Sequence, residues 1–209
     1  MKDNLSNETK HKIEEAELRA RHIVNEHCNL NEMIDQRVFI IGVGKISEKL
    51  GFPTYMVNFG DDFGVEKSRL TDRFTNDVKG FAMKNTKSAA SGSIYVDSRD
   101  DIEVRRFTAA HELGHLILKH LDDSEMSIAF RDNASAPDQA DEKELTANAF
   151  AAELLMPKRL MKEALRNKKI TKAITIEDMD FIPRLAESFG VTVEAMRRQI
   201  SRLRELGEI

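Results

Sequence analysis

The chain has 209 residues, of which 41% are hydrophobic and 33% are charged, and its formal net charge is -4. This balance is typical of a globular protein, and the length suits one enzyme-sized body rather than two full-sized domains. Because no overall positive field exists to hold a phosphate backbone, nucleic acid is not an expected partner. A lone cysteine and a first segment without an apolar secretion signal predict a reduced, cytoplasmic protein, and no apolar run is long enough to cross a membrane.

The first part of the chain predicts two helices and a strand. Residues 6–28 are charged with a thin apolar stripe, which indicates a helix that packs outside the core or meets a partner. Residues 36–50 repeat apolar side chains on one helical face, and Gly51 follows where a left-handed helix cap is expected. The alternation of side chains from Thr54 to Phe59 then predicts a strand.

The middle of the chain predicts a small sheet and a long helix. Residues 78–84 and 93–97 are strand-like, and together with the first strand they suggest a three-stranded antiparallel sheet. Residues 102–121 lack proline, follow good N-cap side chains and repeat apolar residues with helical spacing. The polar residues 122–141 that follow are expected to form a long loop, which could act as a flap.

The last part of the chain is predicted to be helical. The expected helices cover residues 144–156, 157–166, 181–189 and 193–206. Gly190 would cap the third of these and Thr192 would begin the fourth, which gives a helix-turn-helix outline. Arginines of this tail are nearly balanced by glutamates, so a helix pair that covers the body is preferred, with DNA binding as the minority hypothesis.

The long helix contains the sequence His-Glu-Leu-Gly-His at residues 111–115. Since residues four apart on a helix point nearly the same way, His111 and His115 can offer two imidazole nitrogens to one metal ion, with Glu112 beside it. Catalytic zinc usually takes three protein ligands and a water, so another donor is needed, and Glu144 is the candidate. The pattern predicts peptide-bond hydrolysis, with Glu112 as the base that takes a proton from water.

The spacing after the motif excludes the three-histidine zinc proteases, because Leu118 occupies the place of their glycine and no histidine stands at the required position. His120 is therefore interpreted as a helix-end histidine facing carbonyls, with a hydrogen bond to a reaction intermediate as the alternative. Asn148, one turn after Glu144, is placed to help orient the site. Gly114 inside a helix costs about 1 kcal/mol relative to alanine, which suggests that something packs closely there.

Two runs of sequence, residues 106–116 around the motif and residues 147–157, resemble the ImmA/IrrE family of bacterial and phage metallopeptidases. Weaker similarity extends over roughly residues 37–209. The resemblance implies a zincin-like fold and a role in regulated proteolysis. The implied substrate is a helix-turn-helix (XRE-type) transcriptional repressor, on a mobile element such as a prophage or in a stress response.

The resemblance also implies the roles of individual residues. By position, His111, His115 and Glu144 would be the metal ligands and Glu112 the catalytic acid and base. Thr146 stands where the family often has a second glutamate, which makes Glu144 the less ambiguous ligand. Zn²⁺ is the expected cofactor, with Mn²⁺ as the alternative.

We therefore predict an α+β, zincin-like metallopeptidase that is mostly helical. Residues 1–35 would form an N-terminal helical extension without a family counterpart, 36–168 the catalytic domain, and 169–209 a helix-turn-helix-like subdomain. The alternative function is a metal-stabilised module that binds its partner without cutting it, as in a toxin-antitoxin or anti-repressor pair.

Overall fold

A computed structural model describes residues 5–59, 78–84, 92–121, 142–166 and 181–209 of the chain. In chain order the described elements are α1 (Asn7–His27), α2 (Leu30–Gln36), α3 (Val43–Lys49), β1 (Thr54–Val57), β2 (Gly80–Lys84), β3 (Gly92–Asp97), α4 (Ile102–Ile117), α5 (Glu142–Leu155), α6 (Lys158–Arg166), α7 (Phe181–Phe189) and α8 (Val193–Glu205). This mostly helical arrangement with a small sheet confirms the predicted α+β, zincin-like fold class. None of the described helices is long and apolar enough to span a membrane. The predicted loop at 122–141 lies outside the described residues.

The three-stranded sheet is mixed, so the prediction of an all-antiparallel sheet was wrong in this detail. The strand order is β1-β3-β2, with β3 antiparallel to β2 and parallel to β1. In sequence β2 and β3 are close together, whereas β1 and β2 are separated by a longer stretch of chain. Alternation of side chains is the same in both kinds of pairing, so the sequence pattern did not distinguish them.

The helix predicted over residues 36–50 begins only at Val43. Arg37 has a left-handed φ of 56° and ends α2, and the following residues are alternately exposed and buried, with Phe39 and Ile41 pointing into the core. A non-helical segment with period-two burial therefore replaces the first half of the expected helix. Gly51, with φ of 83°, has the left-handed conformation that was predicted for the helix end.

Helix α5 lies at the centre of the packing that builds the site. It contacts both α4 and α1, while α4 also rests on β2 and β3. Buried residues of α1 join the same hydrophobic core as α4 and α5, namely Ala16, Ala20, Ile23 and Val24. The N-terminal helix is thus part of the packed body that holds α5 in place.

The C-terminal helix pair has the predicted helix-turn-helix outline. Gly190 has a left-handed φ of 61°, and the Thr192 side chain caps α8 by accepting from the Ala195 N–H at 3.2 Å. The Arg106 Nε of α4 donates to the Gly190 carbonyl at 2.8 Å, and Arg202 of α8 is ion-paired with Glu17 of α1. The helix pair α7–α8 therefore contacts the rest of the protein both at its turn, through Arg106, and in α8, through Arg202.

One buried carboxylate gives a testable pH dependence. Glu153 of α5 is 3% exposed and accepts from Arg21 Nε at 3.1 Å and from the Lys158 N–H at 3.4 Å. Burial raises the pKa of Glu153, an effect that Glu17 reinforces and the hydrogen bond from Arg21 only partly opposes. Since the pKa in the folded state lies above the ordinary value of about 4.3, the folded state binds more protons in this window, and stability falls as the pH rises through it.

Replacing Glu153 with glutamine should therefore raise the free energy of unfolding at neutral pH and flatten its dependence on pH. The amide keeps an acceptor for Arg21 and carries no charge to desolvate. Urea unfolding between about pH 4 and pH 8 measures both effects. Glu15→Gln, at an exposed position of α1 paired with Arg19, is the matched control and should leave the pH profile unchanged. An unaltered profile in Glu153→Gln would contradict the prediction.

Candidate metal centre

Three side chains from α4 and α5 bring ligand atoms together at a single point. The Nε2 atoms of His111 and His115 are 3.0 Å apart. The two carboxylate oxygens of Glu144 lie 3.2 Å from these nitrogens, one oxygen facing each ring. His111 and His115 are 1% and 2% exposed, whereas Glu144 is partly exposed. These three residues, predicted from the sequence as ligands, form a group that could hold a metal ion.

The separations within this group suit a tetrahedral metal ion. Bonds of about 2.0–2.1 Å from zinc to histidine nitrogen and carboxylate oxygen place tetrahedral ligand atoms about 3.3 Å from one another. The Nε2–Nε2 distance of 3.0 Å, and the distance of 3.2 Å from each nitrogen to a different oxygen of Glu144, are close to that spacing. Two imidazoles and one carboxylate are also a donor set that divalent transition metals favour. The residues present therefore fit the metal that the motif implies.

The charge state of Glu144 suits metal ligation. Burial acts to raise the pKa of this carboxyl, but when the facing Nε2 atoms of His111 and His115 carry protons their hydrogen bonds outweigh burial and hold the pKa well below its usual range. A carboxyl group must be ionised to bind a metal. Glu144 is thus already in the form that a ligand requires.

Asn148 orients His111, as its position one turn after Glu144 predicted. Its Oδ1 lies 3.1 Å from His111 Nδ1. Because an amide oxygen only accepts, Nδ1 of His111 donates the proton, which leaves the Nε2 lone pair directed at the site. Metal-binding histidines are commonly held in this way by a hydrogen bond at the other ring nitrogen.

The interpretation of His120 as a helix-end histidine facing carbonyls was wrong. Its Nδ1 lies 3.1 Å from Nδ1 of His115, and its Nε2 lies 3.3 Å from Oγ1 of Thr146 on α5. Lys119 is left-handed, with φ of 59°, and this change of chain direction places the imidazole of His120 against that of His115. Sequence reasoning missed these contacts because it treated the helix end as a straight continuation.

Glu112 lies on α4 directly after the first histidine and is fully buried, at 0% exposure. Placing a carboxyl group in the interior is costly, and such groups are common where a side chain has to exchange protons. Its position next to His111 in the chain puts it at the same turn of the helix as the candidate ligands. The site thus combines three potential ligands with a further acid.

Gly114 sets how closely α4 and α5 approach each other. A Cβ at this position would lie 3.1 Å from Cδ1 of Phe150 and 3.3 Å from Cα and the carbonyl oxygen of Ala147. Both neighbours belong to α5, the helix that carries Glu144. The close packing expected from a glycine in mid-helix is therefore present, and it brings the carboxylate within reach of the imidazoles.

Comparisons with known proteins find one family model and a solved structure that are similar to this chain. Residues 68–201 match the model of the Peptidase_M78 family, described as the IrrE N-terminal-like domain. A solved structure of a Mycobacterium tuberculosis transcriptional regulator is similar in fold, with 15% sequence identity and a TM-score of 0.50. The match covers 88% of this chain and 46% of that one, so the chain spans about half the length of the regulator. A search of curated proteins finds no match.

Proposed function

This chain belongs to the Peptidase_M78 family of IrrE N-terminal-like domains, and from that premise we propose that it is a zinc-dependent endopeptidase. The observation that carries the proposal is the convergence of His111, His115 and Glu144, whose ligand atoms all lie within 4.8 Å of one another. Zinc is preferred because the donor set and spacing suit a tetrahedral ion with an open position for water. Manganese is the alternative ion.

The proposed reaction is hydrolysis of a peptide bond. When bound, zinc would lower the pKa of a coordinated water toward about 7 and polarise the peptide carbonyl. The Glu112 carboxylate accepts a proton from the attacking water and then delivers it to the nitrogen of the leaving amine. His111, held at Nδ1 by Asn148, keeps its Nε2 lone pair available for ligation. Burial of both imidazoles keeps bulk water away from the ligand atoms.

We propose that the substrate is a helix-turn-helix (XRE-type) transcriptional repressor and that cleavage relieves repression on a mobile element or in a stress response. Sequence resemblance around the motif supports this substrate class. A repressor acts where the DNA is, so the proposed place of action is the cytoplasm. The division into residues 1–35, 36–168 and 169–209 stays a prediction.

The test is to mix the zinc-loaded protein with the helix-turn-helix protein encoded nearest to it and to search for new peptide ends by mass spectrometry. New ends should form with metal present, vanish on chelation and return on adding zinc back, because cleavage depends on the ion. Adding back manganese in parallel tests the alternative ion. An intact repressor throughout would contradict the proposal, and release of the repressor from its operator without new ends would favour the module that binds without cutting.

A further inference from the structure

A continuous line of polar contacts runs from His115 to the backbone of α5. Nδ1 of His115 lies 3.1 Å from Nδ1 of His120, and Nε2 of His120 lies 3.3 Å from Thr146 Oγ1. Thr146 Oγ1 in turn lies 2.8 Å from the carbonyl oxygen of Glu142 and 3.0 Å from that of Lys143. Neither His120 nor Thr146 is a candidate ligand, and the proposed reaction uses neither.

The donor and the acceptor of each hydrogen bond follow from the contacts of Thr146 with the α5 backbone. Carbonyl oxygens only accept, so the Thr146 hydroxyl donates to the backbone and its oxygen accepts from the His120 Nε2–H. A neutral His120 with its proton on Nε2 has a lone pair on Nδ1, which accepts from the His115 Nδ1–H. His115 is then left with a bare Nε2, the atom that faces His111 and Glu144.

The backbone at the end of α4 places His120 against His115. Lys119 is left-handed, with φ of 59°, and its N–H donates to the Leu116 carbonyl at 3.2 Å, while the His120 N–H donates to the His115 carbonyl at 2.9 Å. This pair of bonds is the Schellman helix cap, which brings the second residue beyond the cap over the helix residue five positions earlier. The two rings meet edge to face, with centroids 5.0 Å apart.

We propose that His120 and Thr146 are positioning residues that hold His115 in the tautomer and orientation required to bind the metal. This inference rests on the proposed metal centre, where Asn148 holds His111 in the equivalent way. The first two turns of α5 thereby supply the candidate ligand Glu144, the Asn148 contact to His111 and the Thr146 contact to His120. Groups that orient metal ligands typically change metal affinity by about 10- to 100-fold when removed.

The test measures the zinc dissociation constant of the full chain by competition with a chelator. His120→Leu removes the acceptor and should weaken zinc binding about 10- to 100-fold. His120→Asn places an amide oxygen where Nδ1 was and should restore affinity to near that of the unmodified chain. Thr146→Val, similar in shape to threonine, should weaken binding by a smaller factor. His22→Leu, at an exposed histidine of α1, is the matched control and should have no effect.

Two further readouts separate positioning from packing. Thermal unfolding of the metal-free variants should give similar midpoints, and ¹⁵N spectra of the histidine side chains should show His115 protonated at Nδ1 in the unmodified chain. Equal losses of affinity in His120→Leu and His120→Asn would overturn the inference, since both remove the ring. Unchanged affinity in Thr146→Val would overturn the role of Thr146.

Failure of this inference is distinguishable from failure of the proposed peptidase. A chain that binds zinc with the expected order of variant affinities but cuts no repressor supports the positioning role and contradicts only the peptidase activity. A chain that does not bind zinc overturns both. The competition assay is therefore run before any assay of cleavage.

Discussion

Replacing Glu112 with glutamine should lower kcat for peptide cleavage by about 10²- to 10⁴-fold, the usual contribution of general acid-base catalysis. Glutamine has nearly the same shape as glutamate but cannot take a proton from water at neutral pH. Because the candidate ligands are His111, His115 and Glu144, the metal content should stay unchanged. The measurements are kcat with the repressor as substrate and the zinc content of the purified variant.

The control for this variant is Glu103→Gln, in the first turn of the same helix. It makes the same chemical change away from the candidate ligands and should retain full activity. Cleavage at an undiminished rate in Glu112→Gln would show that another group acts as the base. Loss of zinc from this variant would instead show that Glu112 belongs to the ligand set.

Replacing Gly114 with alanine should destabilise the protein, although alanine is the better helix former. The added Cβ would press on Phe150 and on the backbone of Ala147, and overpacking of this kind costs about 1–3 kcal/mol. Backbone atoms of α5 cannot move aside without shifting the helix that carries Glu144. Zinc affinity should therefore fall together with the free energy of unfolding, and urea unfolding and chelator competition measure the two quantities.

Gly44→Ala is the matched control because a Cβ on Gly44, in α3, would meet no atom within 4 Å. There the same substitution should be neutral or stabilise by up to about 1 kcal/mol, from helix propensity alone. The difference between the two variants isolates the cost of separating α4 from α5. A Gly114→Ala protein as stable as Gly44→Ala, with full zinc affinity, would contradict the role assigned to this contact.

Local sequence patterns predicted much of the fold and most of the candidate site. The spacing of His111 and His115 places both on one helical face, and that depends only on the period of the helix. The left-handed glycines at 51 and 190 were predicted from residue type, since glycine adopts that conformation at little cost. From the residues alone Glu144 was only a candidate for the third ligand, and the family resemblance implied that role.

Features that depend on contacts distant in sequence were missed. β1 pairs in parallel with β3 and contacts α3, a placement that the alternation of side chains does not reveal, so the mixed sheet was not foreseen. Residues 38–41 were predicted to be helical but are not, and the ring of Phe39 stacks instead on that of Phe189 of α7, with centroids 5.2 Å apart. The contacts of His120 were not predicted, in part because its partner Thr146 is on another helix.

The match to the family model covers residues 68–201, yet both ends of α5 contact α1, a helix outside that range. Lys12 of α1 is ion-paired with Glu142, two residues before Glu144, and Arg21 is ion-paired with Glu153 near the other end. A fragment limited to residues 68–201 would lack both of these ion pairs and the buried apolar residues of α1. We therefore expect the smallest fragment that keeps the candidate metal centre intact to include α1 and to be longer than the segment that matches the family model.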